Sequence, residues 1–400
     1  MKTALRAKTR MAAIGMLSFA LKSRAQPIEV ARPSEEALGT LAGTTLSGYV
    51  DTSAIWMFGK GTILYGRSFD GGSNSQENKQ DGFNLNVAEI RLANQPTVEA
   101  WSCGYVAALL FGPDANTIGT TSIGATARDL AIREAYLSLR VPLANGVIFK
   151  LGVFNAPIGY ETFEAGANPN YSRAFAYPLE PTDLTGVQAS YDLNDFLTAI
   201  AGIADRGDIN SINARSGLPW VDSYFITLTF TAPKSAGFLE GATLSGTLLD
   251  SGITSKSVNK MNTEGDQNPI NYYVGATIPG PIRGLTIGAA LDYRANALFN
   301  GSYENAGDLY LVYQATHKLQ LANRCEYASG SAGAFGVVPA FPYRNVRLFG
   351  ETLTVSYSLW ANTVTRLEFR WDRSLTGETL FGVGSERNAL SIALNVIYNF

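Results

Sequence analysis

From Thr44 to the C-terminus one pattern recurs along the chain. Segments of about nine to fourteen residues alternate apolar side chains with small or polar ones, separated by runs rich in Gly, Asn, Ser and Asp. Successive side chains of a strand point to opposite faces, so a period of two marks strands with one apolar and one polar environment. The clearest case is 364–372, where Leu367, Phe369 and Trp371 alternate with Arg366, Glu368, Arg370 and Asp372. The pattern predicts strands at 44–57, 82–94, 97–112, 129–141, 145–154, 184–192, 195–205, 221–231, 241–250, 269–278, 284–294, 306–316, 318–328, 346–358, 362–373 and 388–400. That is about 16 strands, within a range of roughly 14–18 because boundaries slip easily.

The connections alternate as well. Tight ones fall at Gln95-Pro96, 142–144, Leu193-Asn194, 279–283, His317 and 359–361, with 232–240 somewhat longer; long polar ones fall at 58–81, 113–128, 155–183, 206–220, 251–268, 295–305, 329–345 and 374–387. Strands of about 9–11 residues, with short turns at one end and long loops at the other, are those of a transmembrane antiparallel β-barrel. A Lys or Arg facing the bilayer midplane costs about 2–4 kcal/mol, so charged strand positions should face the lumen. Lumen-wall charges are then Arg91, Arg140, Lys150, Arg366, Glu368 and Arg370, while Cys325 falls on the lipid face. A soluble sandwich with one solvated face shares the alternation. It does not explain the aromatic residues near strand ends: Trp101, Phe230, Trp360, Tyr398 and Phe400 on one side, Trp56, Tyr224 and Trp371 on the other. The final strand also ends on Tyr398 and Phe400, a pattern like the signal that outer-membrane proteins present to the barrel-assembly machinery.

The third long connection stands apart. It carries Pro157, Pro169, Pro178 and Pro181 with Gly159 and Gly166, which exclude a helix or ladder strand. It also carries Phe154, Tyr160, Phe163, Tyr171, Phe175 and Tyr177, more aromatic surface than a solvated linker holds. The expectation is a loop folded into the lumen as a constriction, with Tyr160, Glu161, Phe163, Glu164, Tyr171 and Arg173 at the narrowest point. With Glu180 and Asp183 its net charge is −3. Facing the bases Arg366 and Arg370, with Arg91, Arg140 and Lys150 nearer its root, it would set a transverse field across an open eyelet.

Charge and composition narrow the rest. Residues 1–25 show a basic start (Lys2, Arg6, Lys8, Arg10), an apolar run Met11–Leu21 and a small-x-small site at 23–25, the marks of an export signal. Residues 26–43 then form a short periplasmic lead, and 44–400 the barrel. Without the signal the chain holds 25 basic and 34 acidic side chains, a net charge of −9 that argues against a nucleic-acid partner. Two cysteines, Cys103 and Cys325, and one histidine, His317, leave no metal-ligand set, cofactor motif or Ser-His-Asp arrangement. No catalytic function is expected. A glycosidase working through carboxylates alone is allowed by the chemistry, but no acid pair is singled out.

Four runs, LSGYVDTSAIWMFG (46–59), DGFNLNVAEIRL (81–92), IREAYLSLRVPLANG (132–146) and LGVFNAPIGYETFEAGANPNYSRAFAYPLEPTDLTGVQASY (151–191), resemble the OmpL-like β-barrel porins. The pattern departs where the family has a His before the Thr-Gly pair and this chain has Asp183-Leu184 before Thr185-Gly186. The resemblance implies an outer-membrane location and a porin. The function expected is a water-filled channel for passive diffusion of ions and small hydrophilic solutes, with membrane lipid and those solutes as partners. Homotrimers occur among similar porins, though no interface signal selects one. Two alternatives are a barrel plugged by the third loop, serving as a surface binding or structural protein, and a solute-selective channel such as a sugar track along Tyr160, Phe163 and Tyr171, although the role first expected of these three rings is to pin the loop to the wall.

Overall fold

The structure is a computed structural model describing residues 43–58, 81–118, 129–205, 207, 212–213, 223–252, 268–336, 345–381 and 386–400. The proposed signal and lead, apart from Gly43, lie outside the described residues. Sixteen strands are β1 (Thr45–Phe58), β2 (Gly82–Asn94), β3 (Ser102–Phe111), β4 (Leu130–Val141), β5 (Val147–Asn155), β6 (Asp183–Asp192), β7 (Leu197–Ala204), β8 (Ser223–Thr231), β9 (Thr243–Asp250), β10 (Ile270–Pro279), β11 (Leu285–Ala295), β12 (Tyr303–Gln314), β13 (Leu319–Gly330), β14 (Val346–Trp360), β15 (Thr363–Ser374) and β16 (Asn388–Asn399). Each pairs with its sequence neighbours, and β1 pairs antiparallel with β16, so the sheet is a closed barrel. Gly48 and Phe400 exchange backbone hydrogen bonds of 3.0 and 2.9 Å at the seam. Closure matters because an open sheet edge in lipid would leave unpaired N–H and C=O groups.

The two faces are inverted relative to a soluble protein. Buried positions include Asp51, Glu89, Arg133, Arg324, Glu326, Glu368 and Arg370, whereas Leu46, Ile226, Leu291, Leu353 and Leu394 are exposed. Trp101, Phe230, Trp360, Tyr398 and Phe400 are exposed outward at the short-turn end; Trp56 and Tyr224 are exposed near the other rim.

Two expected boundaries move by three residues or more. β3 begins at Ser102, not 97, because Pro96 lacks an N–H for the ladder and Ser102 Oγ donates to Thr97 O (2.9 Å), so 95–101 is a folded turn. β12 begins at Tyr303, three residues early. Bulges interrupt the period: the β1–β2 register shifts at Asp51/Thr52 and the β3–β4 register at Ala108/Leu109. The extra residues are Asn86 and Arg133, and both are buried in the lumen beside an already buried neighbour.

A charge placed on the outward face separates this arrangement from a soluble sandwich. Leu394→Arg, midway along β16, should lower the unfolding free energy of the barrel in lipid vesicles by about 2–4 kcal/mol, read by urea titration.

Candidate functional site: the third loop and the lumen wall

The segment joining β5 to β6 leaves the rim through a neck closed by Ala156 N–H to Thr182 O (3.0 Å). Its turn at Gly159 has φ +99°, and a Cβ there would strike the Glu180 carboxylate, so glycine is required twice over. Short 3-10 turns at Ala165–Ala167 and Tyr177–Leu179 are its only regular structure. Some polar groups of the segment bond within it, as Asn168 does to Thr162, and others bond to the barrel wall.

The contacts run around the ring. Pro157 O accepts from Thr227 (2.7 Å) on β8 and Thr247 (2.8 Å) on β9. Tyr160 stacks on Tyr310 of β12, ring centroids 4.3 Å apart, and meets the Thr277 hydroxyl of β10 at 3.1 Å. Its hydroxyl occupies the space that a side chain at Gly288 would fill. Glu161 accepts from Arg324 Nη1 (2.7 Å) and Tyr310 (3.2 Å), and its other oxygen accepts the Ala174 N–H (2.8 Å). Glu368 of β15 accepts the N–H groups of Tyr171 (2.6 Å) and Ser172 (2.9 Å), together with the Thr354 hydroxyl (2.7 Å). Glu326 of β13 accepts the Phe175 N–H at 2.7 Å. Arg366 donates to the carbonyls of Ala165 (2.7 Å) and Asn168 (3.0 Å), and Arg370 to that of Arg173 (2.9 Å). On β4, Arg133 binds Glu164 (2.9 Å) and Asp183, and lies over the Phe163 ring at 5.1 Å. Tyr171 donates to Ser53 on β1 (3.1 Å), while Arg173 turns back onto Tyr171 O (2.8 Å) and the Tyr177 ring.

Two loop acids respond in opposite ways. Burial pushes the Glu164 carboxyl up, but the Arg133 guanidinium beside it more than compensates and holds it below the usual carboxylate range. Glu180 is pushed well above that range by burial and by the neighbouring carboxylates of Asp292 and Asp308.

The family model described as "Putative beta-barrel porin-2, OmpL-like" matches residues 43–400. The chain belongs to this porin family. It is an outer-membrane porin of bacteria, and its fold recurs in solved porins of low sequence identity. The outer membrane channel DcaP of Acinetobacter baumannii is 13% identical, with a TM-score of 0.59 over 89% of this chain and 97% of that one. Salmonella typhi OmpF, solved with daunomycin, is 12% identical with a TM-score of 0.59 over 89% and 97%. The anion-selective porin from Comamonas acidovorans is 12% identical with a TM-score of 0.53 over 89% and 99%. No curated protein sequence matches this porin.

The sequence-derived constriction residues Tyr160, Glu161, Phe163, Glu164, Tyr171 and Arg173 all contact the porin's wall or the loop itself, as do the wall charges Arg366, Glu368 and Arg370. Arg91, Arg140 and Lys150 bond elsewhere: Arg91 to Glu134, Arg140 to Asn145 O (3.1 Å), and Lys150 over the Tyr136 ring at 4.7 Å. The open eyelet between loop and basic wall needs correction. Arg366 and Arg370 touch the loop backbone, because a charge sealed from water needs a partner at hydrogen-bond distance. The sugar track is corrected too: Phe163 and Tyr171 are buried, and Tyr160 has its face on Tyr310. Arg133 escaped the sequence reading because its bulge breaks the alternation. Arg324 and Glu326 were legible as lumen residues, but nothing in one strand's pattern points across the barrel. Asp183, at the family's departure point, binds Arg133.

Glu368→Ala would leave two buried N–H groups without acceptors, each costing about 1–3 kcal/mol. Added protease should then cut within 156–182 much faster than in the parent, while the barrel keeps its heat-modifiable mobility on gels.

Proposed function

We propose that this porin passes ions and small hydrophilic solutes down their gradients, and that the third loop sets the cross-section through which they pass. The observation that carries this reading is the loop's bonding to β8, β9, β10, β12, β13, β14, β15 and β1 from a single pass through the lumen. Such anchoring makes it a fixed constriction rather than a swinging surface loop. The six constriction residues hold the loop in place, and the groups in contact with permeating solute are those the loop leaves uncovered. Of the wall charges, Arg91 keeps about a quarter of its side-chain surface exposed (26%), whereas Arg324 keeps none (0%).

The same observation supports a second reading, in which the loop closes the lumen and the barrel serves as a surface protein. The family membership favours the channel. Tyr398 and Phe400, outward on the closing strand, suit presentation to the assembly machinery. A trimer form is known for Vibrio cholerae OmpT, and we extend a homo-oligomeric state to this chain.

Purified protein in a planar lipid bilayer should show stepwise, ohmic openings, and the reversal potential under a salt gradient should report which charges line the path. Well-folded barrels without steps would overturn the channel. A deletion of residues 159–177 that then restored current would identify the loop as a plug.

A further inference from the structure

The hydrogen bonds that fix the third loop run to β1, to β8–β10, to β12–β15 and to Arg133 of β4. The halves of β4, β5 and β6 nearest the short turns take part in none of them, and there a separate polar group of side chains faces the lumen. Ser138 on β4 pairs directly with Lys150 on β5, and Lys150 with Gln188 on β6. Directly paired residues share a face, so the three side chains stand in one row across three strands. Their neighbours Leu137, Leu139 and Leu151 are exposed on the lipid side, which sets the row inward. Arg140, two residues beyond Ser138 on the same face, borders the row toward the turn.

An excess of donors marks the row. Lys150 makes no ion pair among the described residues; its ammonium lies over the Tyr136 ring, 4.7 Å from the centroid. The Ser138 hydroxyl and the Gln188 amide belong to residues only 3% and 4% exposed, yet neither makes a hydrogen bond among the described residues. Buried polar groups are nearly always bonded, so two unbonded ones flanking an ammonium call for a partner from outside the chain. The Gln188 amide can turn its N–H groups to such a partner. Arg140 donates to Asn145 O and also makes no ion pair among the described residues. Nearby carboxylates are engaged elsewhere: Glu134 by Arg91, Asp192 by the Thr198 hydroxyl (2.7 Å), while Glu89 lies in the field of Arg133. An ammonium, a guanidinium, a hydroxyl and an amide grouped in this way suit an oxyanion.

We propose that this row, Lys150 with Ser138, Gln188 and Arg140, binds the carboxylate or phosphate group of small solutes, and that the porin therefore favours anions. The inference rests on the channel reading above and adds the class of solute to it. Charges on the surface that a solute meets set the sign of selectivity. The buried Arg324, Arg366 and Arg370 are engaged by the loop and by wall acids, so they present little of their charge to a passing solute. Lys150 and Arg140 are only half-buried and stay within its reach. A single ammonium backed mainly by neutral donors also holds an anion loosely enough to release it, which conduction requires.

A thiol placed in the row reads its field without needing a current. Both native cysteines are free, so the test uses the Cys103→Ser/Cys325→Ser background. There, Ser138→Cys should react several-fold faster with an anionic methanethiosulfonate than with a cationic one, each rate taken relative to that on free cysteine. Lys150→Gln should remove most of that preference while the barrel keeps its heat-modifiable mobility. Potassium phosphate should slow the anionic reagent more than potassium chloride of equal ionic strength. In planar bilayers the parent should pass chloride more readily than potassium, and Lys150→Gln should lower that ratio at least twofold. Equal rates for the two reagents, a cationic preference, or a thiol that neither reagent reaches would overturn the site. Barrels without current that keep the thiol preference would overturn the channel reading and leave the site standing. Open channels whose ion preference survives Lys150→Gln would overturn the link from this site to selectivity.

Discussion

A charge sealed away from water must have a partner, and the interior of this barrel is organised by that requirement. Arg324 on β13 is fully buried and is met by Glu161 from the loop, Glu326 from its own strand and the Ser172 carbonyl. Removing one member of such a buried pair costs roughly 3–5 kcal/mol because the other is left uncompensated. The wall arginines therefore need the loop as much as the loop needs the wall. Neither could hold its geometry alone.

The same constraint explains the composition of the loop. Its aromatic rings are not a binding surface but fillers that exclude water around the ion pairs: Tyr160 against Tyr310, Phe163 beneath Arg133, Phe175 near Arg370. Excluding water strengthens each pair by lowering the local dielectric. Lumen-facing Gly288 supplies the space that the Tyr160 hydroxyl occupies. Loop and wall are thus complementary in shape as well as in charge.

Strands were the most legible part of the sequence, and the reason is the membrane. Lipid on one face and water or protein on the other impose a period of two on every strand, so β2 and β16 are placed to within a residue. The pattern failed where other rules intervene. Thr97-Val98 alternates like a strand, but Pro96 and the Ser102 hydroxyl make it a turn. Arg133 was hidden by a bulge that puts two neighbouring residues on one face. The loop's prolines and aromatics announced a packed segment, yet its partners lie up to 201 positions away, as for Arg366 and Ala165, and no local pattern encodes such a pairing. The outward phase of Cys325 was readable from the alternation of its own strand.

Hydrogen exchange of the folded barrel addresses the central claim, that the third loop is bonded into the wall. The amides of Tyr171, Ser172, Ala174 and Phe175 each donate to a buried carboxylate, so they should exchange as slowly as amides of β14 and β15. Exchange of 156–182 as fast as that of an exposed rim loop, in a barrel whose strands stay protected, would contradict the account.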